Sequence, residues 1–441
     1  MVMGMDKKLY EIETKALDLL KGKFVNLTED KKLSLLSVVL KEIDPGIAET
    51  EIKAIFDDIN DMGKLASFMK MGNIEDIMVN NVNNVFVYDA QKGYEKVSDI
   101  RFDKENLEIL VKKLRLYATN EAASGNIMDV HLPTKNRASI VYSPKGYDIT
   151  IRNFSGKPLS ILDLVNLGEL DYNMAARLWL YLDGFRIRPA NIMLGGIAAS
   201  GKTTLLNSMF SFFRPDMRIV TIEDTYELNT SLFENSVNLE TNEEMDLREL
   251  IKAAMRMRAD AIVIGEVRGA EAQDMVSAMN IGKMSVCTIH ASSARDVINR
   301  LTHSPMSVPD DIISVIDAIL VLSRVKVDSH LARKIVQISE ISGRESQILL
   351  SDLYRYDYRT KKSSDMLPSV SYRDSLSKAI GVDPSEIIAE EHLRALILAK
   401  LDENGKRTIG EISESVQDYY DNPERLLQSI GMTNMTPIIR L

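Results

Sequence analysis

The run Gly196-Ile197-Ala198-Ala199-Ser200-Gly201-Lys202-Thr203 fits the pattern G-x-x-x-x-G-K-[ST], and its reading decides the fold. The glycines permit a backbone turn that aims successive N–H groups at phosphate oxygens. Lys202 brings a positive charge to the β- and γ-phosphates, and the Thr203 hydroxyl is sized to ligate Mg²⁺. An apolar run, Ile192–Leu194, precedes the loop, and a helix-prone run, Thr204–Met209, follows it. Strand, glycine loop, helix is the context that turns the pattern into an anion site, because the helix N-terminus adds its dipole. A plain glycine-rich turn would need no such context. The expected ligand is ATP with Mg²⁺, contacted by Gly196, Ala198, Ala199, Ser200, Gly201, Lys202, Thr203 and Thr204.

Outward from the loop, short apolar runs recur at Ile219–Ile222, Ala261–Ile264, Val286–Ile289 and Ala318–Leu322, with helix-like stretches between them. That alternation predicts an α/β domain whose mainly parallel sheet is covered by helices. Two more runs, Ile335–Ile341 and Gln347–Tyr354, flank Ser342-Gly343-Arg344 and predict a closing hairpin. Ligands of open α/β sheets lie beyond the carboxyl ends of the strands. Polar residues that end the apolar runs are therefore the candidates for chemistry. Hydrolysis needs an acid near the metal and a base for the attacking water. Glu266 is assigned to the Mg²⁺ shell, where its length favours contact through water, and Glu223 to water activation; the reverse assignment stays open. His290 ends the run Ser285–Ile289 and is placed to sense the γ-phosphate. Taken singly, each is as well read as a solvated or structural side chain, and the upstream P-loop is what singles them out.

The flanks carry less information. Residues 6–60 show helical spacing. Residues 73–154 mix short strands at Ile77–Val79, Val85–Tyr88, Ala138–Tyr142 and Asp148–Ile151 with a helix at Glu105–Leu116. Ser155-Gly156-Lys157-Pro158 reads as a linker, and beyond Ser364 the chain turns helical, with amphipathic spacing at His392–Leu401 and Ile409–Tyr420. The expected division is a helical N-terminal extension (1–64), a mixed α/β N-terminal domain (65–154), a linker (155–160), a RecA-like ATPase domain (161–358) and a small helical C-terminal extension (359–441).

Composition bounds the function. The chain has 441 residues and a formal net charge of −10, which argues against a broad nucleic-acid surface, so no DNA partner is expected. Its single cysteine, Cys287, permits neither an intrachain disulfide nor a CxxC pair and reads as a small buried hydrophobe. The other histidines lack ligand spacing, so no zinc site is expected. No apolar run approaches the ~18–20 residues that span a bilayer. Met1–Lys8 lacks the pattern of a signal peptide, and a cytoplasmic location follows as the expectation.

The motifs together resemble the secretion ATPase superfamily: motors of type II and type IV secretion, type IV pili and archaella. The matching segments are the P-loop, Thr221-Ile222-Glu223-Asp224 (the Asp box), Ile264-Gly265-Glu266-Val267-Arg268-Gly269 (Walker B) and Thr288-Ile289-His290-Ala291-Ser292 (the His box), in the family's order. Met255–Asp260 and Ala294–Leu301 are most similar to tight-adherence pilus ATPases and their archaeal relatives. The resemblance covers about residues 70–358. It implies a ring of six subunits, docked peripherally at the cytoplasmic membrane on a polytopic inner-membrane platform protein. It also implies that Arg137 and Arg152 of the N-terminal domain reach the nucleotide phosphates, and that Arg268 adds charge near the subunit boundary. The family's four-cysteine zinc module has no counterpart here. A nucleic-acid translocase or helicase on the same core, and a nucleotide-gated scaffold without turnover, are the alternatives.

Overall fold

A computed structural model describes residues 7–25, 27–89, 92–118, 125–133, 136–153, 158–242, 244–327, 330–344, 348–364 and 366–438. The chain forms two compact units, Met1–Lys157 and Pro158–Leu441. Of the expected linker, 155–157 lie outside the described residues.

In the first unit, helices α1 (Lys7–Leu19), α2 (Glu29–Ile43), α3 (Glu49–Asn60) and α4 (Ala66–Met69) precede strands β1 (Ile74–Asn80), β2 (Asn84–Asp89) and β3 (Gly93–Val97). Helix α5 (Lys104–Arg115) then leads to β4 (Ile127–His131), β5 (Arg137–Ser143) and β6 (Gly146–Arg152). The six strands form an antiparallel sheet in the order β3-β2-β1-β6-β5-β4. Alternate residues Ile77 and Val79 of β1, Ala138 and Ile140 of β5, and Ile149 and Ile151 of β6 face one core, as a period of two requires. Leu17, Leu20, Leu36, Leu40, Ile55 and Ile59 from the first three helices fill that same core, so the N-terminal helices and the sheet make one body. Lys113 of α5 ties them together: its buried Nζ lies 2.6 Å from Asp58 Oδ2 of α3 and 3.8 Å from Glu13 Oε1 of α1. Strands β3 and β4 have no apolar run to announce them; β4 buries only Met128 and Val130.

The second unit opens with α6 (Ile161–Asn166), α7 (Tyr172–Asp183), β7 (Ile192–Gly196), α8 (Lys202–Met209), β8 (Ile219–Glu223) and β9 (Ser236–Glu240). It continues through α9 (Leu247–Arg256), β10 (Ala261–Val267), α10 (Glu271–Asn280), β11 (Met284–Ile289), α11 (Ala294–Thr302) and β12 (Ala318–Val327). The strand order is β12-β7-β11-β10-β8-β9, all parallel. Beyond β12 the sheet turns antiparallel through β13 (His330–Arg344), β14 (Ile348–Asp357) and the short β15 (Lys362–Ser363). The central strands read as unbroken apolar runs because helices cover both faces. Ile219 and Val286 enter the core on one face, and Val220, Ile222, Cys287 and Ile289 enter the other. Edge strand β9 is half-buried throughout or exposed, and its sequence carries no signal beyond Val237 and Leu239.

Four helices end the unit: α12 (Ser371–Ile380), α13 (Pro384–Glu403), α14 (Ile409–Asp421) and α15 (Pro423–Ser429). They share the core of α7, through Leu376, Ile397, Leu401, Val416 and Tyr419 around Trp179. Two buried charged clusters hold them, one around Glu340 and one around Arg394. Glu340 of β13 accepts from Tyr181 Oη, Ser369 Oγ and the backbone N–H groups of Val370, Ser371 and Tyr372 at the start of α12. Arg394 of α13 lies wholly buried, 3.0 Å from both Asp183 Oδ2 and Glu390 Oε1. The C-terminal helices thus share the core of the second unit.

Candidate active site

Gly196 ends β7 and Lys202 begins α8, so the loop between them caps the helix N-terminus. Gly201 has φ +95°, a conformation that favours glycine. A Cβ on Gly196 would come 2.3 Å from Ser200 Oγ and 3.1 Å from the Leu322 carbonyl, so a larger residue would force the loop's packing to shift. Lys202 Nζ donates to the carbonyls of Gly196, at 2.8 Å, and Ile197, at 3.3 Å, folding the ammonium over the loop. Burial lowers its pKa; the Glu266 carboxylate opposes that shift and the Arg268 guanidinium adds to it, so all three charges share one neighbourhood. Thr203 and Thr204 lie half-exposed in the first turn of α8.

Strands β7, β11, β10 and β8 are consecutive in the sheet and parallel. Their carboxyl ends therefore place the loop, His290, Glu266 and Glu223 along one edge. Glu223 is buried, at 2% exposure, and its Oε1 accepts from the N–H groups of Glu227 at 3.0 Å and Leu228 at 3.1 Å. Burial pushes its carboxyl up to about 8, against the pull of those two amides. Gly265 makes room for it: a Cβ there would stand 3.2 Å from Glu223 Cγ. Glu266 is half-buried and accepts from Arg268 Nη2 at 2.9 Å, while Arg268 Nη1 donates to Asp224 Oδ2 at 3.3 Å. Asp224 and Gly265 lie within the Asp box and Walker B segments without a role of their own in the sequence, and the amides of Glu227 and Leu228 are parts of this edge that motif reading passed over. His290 is exposed just past β11, and Thr288 Oγ1 donates to the Gly265 carbonyl at 2.6 Å, joining β11 to β10 below the two.

Arg137 and Arg152 belong to the first unit. Register sets them directly opposite each other on β5 and β6, fifteen positions apart in sequence. Asp76 on β1 is the register partner of Arg152, and His131 on β4 that of Arg137. Arg152 Nε lies 3.6 Å from Asp76 Oδ1, and Arg137 Nη2 lies 3.3 Å from Asp129 Oδ2. Like charges opposed across a ladder are unfavourable, and the two carboxylates offset that repulsion. The structure brings these arginines together with each other, in a charged row at one end of the sheet.

The family model of type II/IV secretion system proteins matches residues 58–348, which contain both the loop and the strand-end acids. The chain belongs to this family. The matched segment begins inside α3 and ends at the start of β14, so this secretion-family chain adds α1, α2 and the four C-terminal helices to the shared part. It is 29% identical over 384 residues to the uncharacterized protein MJ0900 of Methanocaldococcus jannaschii, covering 82% of this chain and 66% of that one. It is 34% identical over 249 residues to MJ1287 of the same organism, covering 54% of this chain and 90% of that one. The chain thus spans just under two thirds of MJ0900. Among solved structures it is similar to the Legionella pneumophila ATPase DotB, with 17% identity, a TM-score of 0.49, and coverage of 84% of this chain and 94% of that one. No described helix of this secretion-family protein is long and apolar enough to cross a membrane.

Proposed function

We propose that this chain is a hexameric motor ATPase that couples Mg²⁺-dependent hydrolysis of ATP to assembly of a type IV pilus-like filament, or to secretion, through a membrane platform protein. The observation that carries the proposal is the alignment of the Gly196–Thr203 loop, His290, Glu266 and Glu223 at the carboxyl ends of four adjacent parallel strands. Family membership supports the cellular role.

In this reading the loop N–H groups and Lys202 hold the β- and γ-phosphates of ATP. Thr203 and Glu266 are the oxygen donors suited to Mg²⁺, and Glu266 already sits where its charge acts on Lys202. Mg²⁺ when bound neutralises charge on the phosphate oxygens. Glu223 takes a proton from the attacking water; its raised pKa suits a base that works near neutral pH. His290 senses the γ-phosphate from the end of β11. Arg137 and Arg152 lie against the phosphates when the N-terminal unit closes, and release of phosphate lets that unit open. Arg268 holds Glu266 and Asp224 and stands ready at a subunit boundary.

The test is a phosphate-release assay on the full chain with Mg²⁺, together with equilibrium ATP binding. Lys202→Ala is expected to abolish release. Glu223→Gln is expected to keep ATP binding and lose roughly 10²–10⁴-fold in turnover, the range for removal of a general base. Near-normal turnover in Glu223→Gln would move the base to Glu266. An unsubstituted chain that binds ATP without releasing phosphate would make it a nucleotide-gated scaffold.

A further inference from the structure

Ala199 stands in the loop at φ +57°, in the left-handed region that a Cβ disfavours. A non-glycine residue stays there only where its surroundings over-determine it. The surroundings are visible. Arg333, on β13, donates from Nε to the Ala199 carbonyl at 3.2 Å. Its stem lies against the next residues of the loop: a Cβ on Gly201 would come 3.2 Å from Arg333 Cδ and 3.6 Å from Glu169 Oε2. Arg333 approaches from the β12–β13 side of β7, whereas Glu223 and Glu266 stand on the β8–β10 side.

A trans peptide points its C=O and N–H in opposite directions. A donor that grips the Ala199 carbonyl from outside therefore turns the Ser200 N–H inward. That N–H reaches the Ile197 carbonyl at 3.3 Å, the same oxygen that the Lys202 ammonium reaches at 3.3 Å. Backbone and side-chain donors converge on one point inside the loop, as an anion site needs.

We infer that Arg333 is a positioning residue for nucleotide binding: by holding the Ala199 carbonyl it keeps the loop donors turned toward the phosphates of ATP, without touching the reacting atoms. The inference rests on the reading of Gly196–Thr203 as an ATP site. It makes the strain at Ala199 and the grip of Arg333 parts of one device, so their effects on affinity must be coupled.

The experiment measures equilibrium affinity for Mg²⁺-ATP, and separately KM and kcat, in the unsubstituted full chain, Arg333→Met, Ala199→Gly and the double variant. Methionine keeps the apolar stem on Gly201 and removes only the donor, and a thermal midpoint without nucleotide checks that the variant is folded. Arg333→Met is expected to weaken binding about tenfold, near 1.4 kcal/mol, raising KM with kcat unchanged. In the Ala199→Gly background the same substitution is expected to cost less than about threefold, because glycine holds φ > 0 unaided. An equal loss in both backgrounds, no loss in either, or a fall in kcat at unchanged affinity overturns the inference while leaving the ATP site standing. Failure of the unsubstituted chain to bind ATP overturns both.

Discussion

Glu223 owes its chemistry to burial. A carboxyl with an ordinary value of 4.5 is pushed up to about 8 because the folded chain withdraws it from water. Its neutral form is favoured in the folded state, so the stability linked to this group is full at acid pH and is lost as pH rises through about 8. A base must be ionised to act. The value of kcat/KM is therefore expected to climb with pH with an inflection near 8, read from a pH–rate profile at ATP concentrations well below KM. The same profile in Glu223→Gln should lack that inflection; its survival there would assign it to another group. Gly265→Ala probes the same carboxyl from behind. The added Cβ would stand 3.2 Å from Glu223 Cγ and must displace it, so turnover is expected to fall roughly tenfold or more, as misplaced catalytic groups do. ATP affinity should hold, and a loss of affinity with normal turnover would refute the packing argument.

Among the elements, the attachment of α12 is the most exposed to a single change. One carboxylate, Glu340, accepts from three successive backbone N–H groups at the start of that helix and from two hydroxyls. These are donors that a helix N-terminus leaves without partners of its own. Glu340→Ala would strand them in the interior and is expected to cost about 3–5 kcal/mol, the range for breaking a buried charged network. Denaturant unfolding measures the loss, and limited proteolysis should show cleavage first between 358 and 384. Uniform destabilisation with the C-terminal helices still protected would mean that the apolar contacts with Trp179 hold them alone.

For the whole molecule, one unit carries the Gly196–Thr203 loop and the other a pair of opposed arginines. Arg152→Ala is expected to lower turnover at least tenfold, the scale of a lost contact to transition-state charge, while leaving ATP affinity within a few-fold. Phosphate-release rates and equilibrium titration read the two separately, and unchanged turnover removes the coupling role. Assembly into a ring is checked by light scattering with and without Mg²⁺-ATP. Six subunits are expected, and a chain monomeric in every nucleotide state while still hydrolysing ATP would remove the ring.

Local chemistry carried far into this protein. The loop, the strand-end acids and the central parallel strands were legible because each rests on short-range pattern: glycine spacing, a continuous apolar run, an acid where the run stops. Strands β3, β4 and β9 were not, since each is polar or partly exposed and exists only by pairing with a neighbour distant in sequence. The same holds for the N-terminal and C-terminal helices, whose apolar faces are plain in sequence while the core each would join is not. Register set Arg137 against Arg152, burial raised Glu223, and the β12–β13 hairpin brought Arg333 to Ala199. Sequence determines which residues can do chemistry; distance, dielectric and charge balance arise only when remote segments pack, and those belong to the tertiary structure.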